Sequence, residues 1–252
     1  MTCTLEVPLD SLDAALLAAP YADRLELCDD LASEGWTPTS GLIRSVAARI
    51  DTGRTHIVSM IRPRSANLSA FLDIAAFTTT PRILEDALFE IDASARAGAH
   101  SVAIGLLTPD GFVDMAACEK MRDAALGHGL VVAFLRTFDL LADRARGMDD
   151  ITALGMTRVV TAGVLGWDAA VLTLPERLAV LGADAAHAAA AAEKHGTSPV
   201  EIVPGGGVRA SNAADFLTVS PHLHASCRRL GAISVEELQA LQDVLAASNG
   251  GR

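Results

Sequence analysis

The sequence predicts a single-domain (β/α)8 barrel of the TIM type. Eight short runs rich in Val, Ile and Leu alternate with eight amphipathic stretches from end to end. The 252 residues match the usual size of that fold. No linker, low-complexity tract or break in composition divides residues 1–252, so the chain reads as one domain. The competing arrangement is a doubly wound open sheet. That fold ordinarily carries a G-x-G-x-x-G turn after its first strand, and Pro8-Leu9-Asp10-Ser11 has nothing similar.

The strands are expected at 4–7, 24–28, 56–61, 101–106, 130–135, 158–161, 200–203 and 222–225. They are apolar at most positions, as strands buried on both faces must be. Helices are expected at 11–18, 40–50, 81–97, 114–126, 143–154, 175–195, 211–217 and 234–247. Thr80 before Pro81 places a capping side chain ahead of a proline at the first helical position. Ser234 followed by Glu236 and Glu237 puts acids in a first turn, where the helix dipole favours them. Gly98, Gly127, Gly155 and Gly196 each follow a helical stretch, where a left-handed residue is commonly needed.

Composition removes several classes of function. Half of the residues are hydrophobic and 20% are charged, which excludes disorder. A net charge of −11 repels a phosphate backbone and argues against nucleic acid as a partner. The mean hydropathy of +0.33 comes from dispersed alanine-rich segments. No apolar run reaches the span of about 18 residues that a membrane helix needs. Met1-Thr2-Cys3-Thr4-Leu5-Glu6 lacks the basic start of a signal peptide, so a cytoplasmic protein with no membrane partner is expected. Cys3, Cys28, Cys118 and Cys227 lie far apart, which suits neither a disulfide framework nor a local zinc knuckle.

In a barrel of this kind the chemistry sits at the C-terminal ends of the strands. Strand two ends Leu25-Glu26-Leu27-Cys28, and alternation sends the leucines to the helices and Glu26 and Cys28 into the mouth. Glu26 is either a structural ion-pair partner or an acid/base group. Strand three runs into Arg62-Pro63-Arg64, whose arginines two apart are expected to share a face. Strand five runs into Arg136-Thr137-Phe138-Asp139, and strand six closes on Thr161. Three guanidiniums near one rim suit a carboxylate or phosphate, or else neutralise Glu26 and Asp139. Strand seven leads into Gly205-Gly206-Gly207, where free N–H groups can cradle an anion. Strand eight leads to His224-Ala225-Ser226. The loops after strands seven and eight form the usual phosphate site of such barrels. The candidate catalytic residues are therefore Glu26, Arg62, Arg136, Asp139 and His224. The candidate anion-binding residues are Arg64, Thr161, Gly205, Gly206, Gly207 and Ser226.

The ordered set of strand-end motifs resembles the CutC family, whose members are named copper homeostasis proteins. It consists of Arg24-Leu25-Glu26-Leu27-Cys28, Glu34-Gly35-Trp36-Thr37-Pro38, Met60-Ile61-Arg62-Pro63-Arg64, residues 107–114, Arg136 to Asp139, residues 158–163, residues 203–207 and His224-Ala225-Ser226. The resemblance implies a cytoplasmic (β/α)8 barrel that forms a homodimer or higher homo-oligomer. It also implies copper as ligand, with Cys28 as the metal residue. The chain departs from the family pattern in three places. Pro8 stands where the family carries a first-strand cysteine, Leu135 replaces the histidine of the strand-five motif, and Ser65 and Ala66 replace two glycines. Soft Cu(I) wants two or more thiolate or thioether ligands. Met60 is the conceivable second donor if it turns inward. The two expected functions are thus Cu(I) binding at the mouth, or a barrel enzyme or binder for a small anionic, phosphorylated or sugar-like molecule.

Overall fold

A computed structural model describes residues 2–66 and 72–250. The stretch 65–80, which departs from the family pattern, is therefore described only at 65–66 and 72–80. Eight parallel strands wrap into a nearly closed barrel: β1 (Thr4–Leu9), β2 (Arg24–Leu27), β3 (His56–Met60), β4 (Ser101–Ile104), β5 (Val131–Phe134), β6 (Arg158–Thr161), β7 (Glu201–Pro204) and β8 (His222–His224). The ladder runs in chain order from β1 to β7, and β8 pairs with β1. β7 and β8 pack side by side. Among the described residues no backbone hydrogen bond joins them, and the Ser220 hydroxyl donating to the Ile202 carbonyl (2.5 Å) bridges the seam instead.

The helices between the strands are α1 (Leu12–Ala18), α2 (Ser40–Ala47), α3 (Pro81–Ala97), α4 (Met115–Gly127), α5 (Arg144–Ala153), α6 (Leu174–His195), α7 (Ala213–Phe216) and α8 (Val235–Gly250). Their starts follow the side chains that the sequence offers. Thr80 accepts from the Ile83 N–H ahead of Pro81, and Thr173 and Glu176 form a capping box on α6. Ser234 accepts from the Glu237 N–H and donates to Glu236. Gly98, Gly155 and Gly196 have positive φ as expected. Gly127 instead ends α4 as its last residue, and Gly129 takes the left-handed position two residues later.

Several boundaries differ from expectation. β1 continues through Pro8 to Leu9, because the alternation Leu5, Val7, Leu9 keeps facing the helices and the Leu9 carbonyl accepts from Cys28 N–H. α2 stops at Ala47 rather than at residue 50, and α7 shrinks to a single turn. A short antiparallel hairpin, Arg228–Arg229 with Ala232–Ile233, follows β8 and was not expected. Among the described residues no helix is long and apolar enough to cross a membrane.

The core is the layer between strands and helices. Leu5, Leu25, Leu27, Ile57, Val102, Phe134 and Leu223 fill it from the sheet side. Inside the barrel a smaller apolar cluster joins Cys28, Val58, Met60, Ala103, Ala133 and Leu135, all from β2 to β5 or the residue that follows. The bore is therefore apolar on one side. On the other side, β1, β6 and β8 present charge.

Candidate active site at the barrel mouth

Register places the polar half of the bore. Glu6 lies beside His224 across the β1–β8 ladder, and Pro8 lies beside Glu26 across β1–β2. Both carboxylates are almost fully buried. His224 Nε2 donates to Glu26 Oε2 at 2.9 Å and stands 3.9 Å from Glu6 Oε1. Burial alone would lower the His224 pKa, but the hydrogen bond and charge of Glu26, with Glu6 behind it, outweigh that and raise it. The imidazole thus holds its proton against Glu26. Gly205 passes close over this ring: a side-chain carbon there would stand 3.4 Å from His224 Nδ1 and 3.3 Å from Val160.

Above this floor lies a cavity of about 380 Å³. Its walls bring together Glu26, Arg62, Arg136, His224, Gly206, Gly207 and Ser226 from the candidate residues, with Trp167 and Arg228 besides. Arg62 is sandwiched between Trp36 (4.1 Å to the ring centroid) and Phe77 (5.0 Å). Its Nη1 donates to the Gly35 carbonyl at 3.0 Å and to the Ser33 carbonyl at 3.3 Å, while Nε is buried without an acceptor among the described residues. Burial holds its pKa below the usual arginine range. Arg136 stacks on Trp167, donates to the Trp167 carbonyl at 2.8 Å and pairs with Asp139. Arg228 pairs with Asp10 at 2.5 Å.

Four of the expected residues lie outside this cavity. Arg64 does not share the face of Arg62; it lies on the surface, paired with Asp29, because the chain turns away after Pro63. Thr161 does not reach the cavity. Its hydroxyl donates to Asp139 Oδ1 (2.5 Å) and accepts from Arg144 and the Gly163 N–H. The Gly205 N–H is not free for an anion, since it donates to the Thr161 carbonyl, and the Gly205 carbonyl accepts from Arg177. Asp139, expected as a catalytic group, is buried and fully engaged: it accepts from Arg136, Arg144, Thr161 and the Ala162 N–H. With Arg144 chelated in turn by Asp184, this network fixes the turn that carries Arg136.

Cys28 does point into the bore, but not into the cavity. Its thiol donates to the Leu9 carbonyl at 3.5 Å. Burial, then the charges of Glu26 and Asp10, push its pKa well up. Met60 does turn inward, and it packs beside Cys28 against Gly35. The other three thiols are remote from this place, Cys118 and Cys227 being bonded to the Leu106 and Ala225 carbonyls.

Glu6, Arg144 and Arg228 were not among the expected site residues. The alternation that points Glu26 inward does the same for Glu6, and Arg228 is two residues beyond Ser226. A survey restricted to strand ends passes over both. Arg144 opens α5 and carries no signal in the sequence at all.

Comparison with known proteins agrees with the fold. The model of the CutC family matches residues 3–228. A CutC family protein of Vibrio atlanticus is 32% identical over 90% of this chain and 82% of its own length. One from Xylella fastidiosa is 33% identical over 90% of this chain and 78% of its own. Among solved structures, a CutC protein of Streptococcus agalactiae superimposes with a TM-score of 0.72 at 24% identity, covering 89% of this chain and 99% of that one. A 3-keto-L-gulonate-6-phosphate decarboxylase from Vibrio cholerae shares the fold at a TM-score of 0.63 and 12% identity, over 98% of this chain and 99% of that one.

Proposed function

We propose, from the premise that this chain belongs to the CutC family, that its mouth cavity binds a small anionic molecule over a proton-transfer pair formed by Glu26 and His224. Arg62 carries the reading. It is buried, it lines the cavity, and among the described residues no carboxylate stands within 4 Å of it. A buried charge needs a partner. Arg136 and Arg228 already have Asp139 and Asp10, while the carboxylate acting on Arg62 is Glu34, on the same cavity wall but beyond ion-pair distance, so Arg62 is the guanidinium left to pair with a ligand. A carboxylate or phosphate there leaves the rest of the molecule directed at the floor. There His224 Nε2 presents a proton to a substrate oxygen and Glu26 takes one up.

Inorganic phosphate tests the anion. It should raise the melting temperature of the protein above that in chloride at matched ionic strength, and Arg62→Gln should abolish the difference. Equal melting in the two salts would sink the reading.

Copper is the second reading, favoured by the adjacency of Cys28 and Met60. One thiol and one thioether are a short donor set for Cu(I), and burial keeps the thiol protonated, so the residues present do not fit a tight site. Titration against a Cu(I)-chelating competitor should show weak binding that Cys28→Ser alone among the cysteine variants removes. Tight one-to-one binding unchanged in Cys28→Ser would refute this.

A further inference from the structure

The geometry points to a divalent-cation site at the floor of the mouth, built by Glu6, Glu26 and His224, for an ion of the Zn2+ or Mn2+ class. It rests on the reading of the mouth as an anion-binding site and is an alternative to the proton-transfer role of Glu26 and His224, since the ion takes the place of the proton that they share. One donor atom from each of the three residues lies within 4.8 Å of the other two. His224 Nε2 is 2.9 Å from Glu26 Oε2 and 3.9 Å from Glu6 Oε1. Ligands of a tetrahedral ion at about 2.1 Å stand about 3.4 Å from one another, so each of the two His224 pairs needs a change of about half an ångström to join the set.

A second observation is independent of that spacing. Glu6 is 4% exposed, yet among the described residues nothing donates a hydrogen bond to its carboxylate. The cations within ion-pair reach are His224 Nε2 and Arg158 Nη2, each at 3.9 Å. Arg158 Nη1 is bonded to Glu201 at 2.8 Å, and the Nη2 that faces Glu6 stands too far away for a hydrogen bond. Two buried carboxylates thus share one hydrogen-bonded imidazolium proton, with the Arg158 charge at 3.9 Å from Glu6. A divalent ion in place of that proton balances both charges and gives Glu6 the partner that a desolvated carboxylate requires. Glu26 and His224 line the cavity, so a further coordination position opens toward the arginine wall, as in metal sites that keep one position for substrate. The donors are two oxygens and one nitrogen, a set for hard and borderline ions and not for soft Cu(I).

Chelator-stripped protein titrated with ZnCl2, and separately with MnCl2, in phosphate-free buffer provides the test. At least one ion should bind one-to-one, with affinity falling at least tenfold in Glu6→Gln and in Glu26→Gln and unchanged in Cys28→Ser. Anomalous diffraction from zinc-soaked wild-type crystals should place the ion between the three side chains, which keeps the test open if a variant fails to fold. Absence of stoichiometric binding, binding retained in both glutamine variants, or zinc found only at surface pairs such as His195–Asp149 overturns the site. The phosphate effect through Arg62 is measured on the same metal-free protein, so either reading can fail while the other stands.

Discussion

At the scale of single residues, the barrel separates charges that shape the fold from charges left for a ligand. Asp139 accepts four hydrogen bonds in a buried network, and removing one partner of such a network costs about 3–5 kcal/mol. Asp139→Ala should lose that much in denaturant unfolding, while Arg64→Ala, which breaks an exposed pair, should stay within about 1 kcal/mol. His100 gives the fold an acid limit. Its Nδ1 accepts from the Ile57 N–H at 3.0 Å, which an imidazolium with both nitrogens protonated cannot do. Burial, then the neighbouring His56, lowers its pKa below 6.5. The unfolded chain therefore binds more protons than the folded one, and stability should fall as pH drops below 6.5 toward the folded-state value. Unfolding midpoints measured across that window should show a shallower acid loss in His100→Asn, whose amide oxygen can still accept.

At the scale of elements, the sequence tells most where local chemistry and burial agree. Strands such as β3 and β5 are apolar on both faces, and Thr80, Ser234 and Thr173 mark helix starts with side chains that do cap. Boundaries set by tertiary packing are less legible. Pro8 reads as a strand breaker, yet β1 carries it where its ring lines the mouth. The hairpin after β8 is preceded by Cys227 and turns at Leu230, both at positive φ, a conformation that their residue types do not announce. Helix α6 offers a direct test of local propensity. Gly182 lies on its exposed face, and a methyl group there would meet nothing within 4 Å. Gly182→Ala should stabilise the protein by about 0.5–1 kcal/mol, seen as a higher denaturation midpoint with unchanged slope.

For the molecule as a whole, strand alternation made Glu26 legible, and with it the end of the barrel where chemistry gathers. It left out what only closure of the sheet creates: the meeting of β1 with β8, which sets Glu6 against His224, and the Arg144–Asp139–Asp184 network, whose members are remote in sequence. The same closure leaves the unpaired seam between β7 and β8. An edge that lacks a hydrogen-bond ladder is where a barrel breathes, so amide protons of these two strands should exchange with deuterium faster than those of β3 and β4. Gly207 follows β7 and Ser226 follows β8, so the two lips of this seam both border the mouth cavity. A ligand anchored on Arg62 that spans the cavity to both lips would act as a staple across the gap. Such a ligand should then slow exchange on both lips, which inorganic phosphate held at Arg62 alone should not, and ligand binding would become readable as the local closing of a solvent gate, with no turnover assay required.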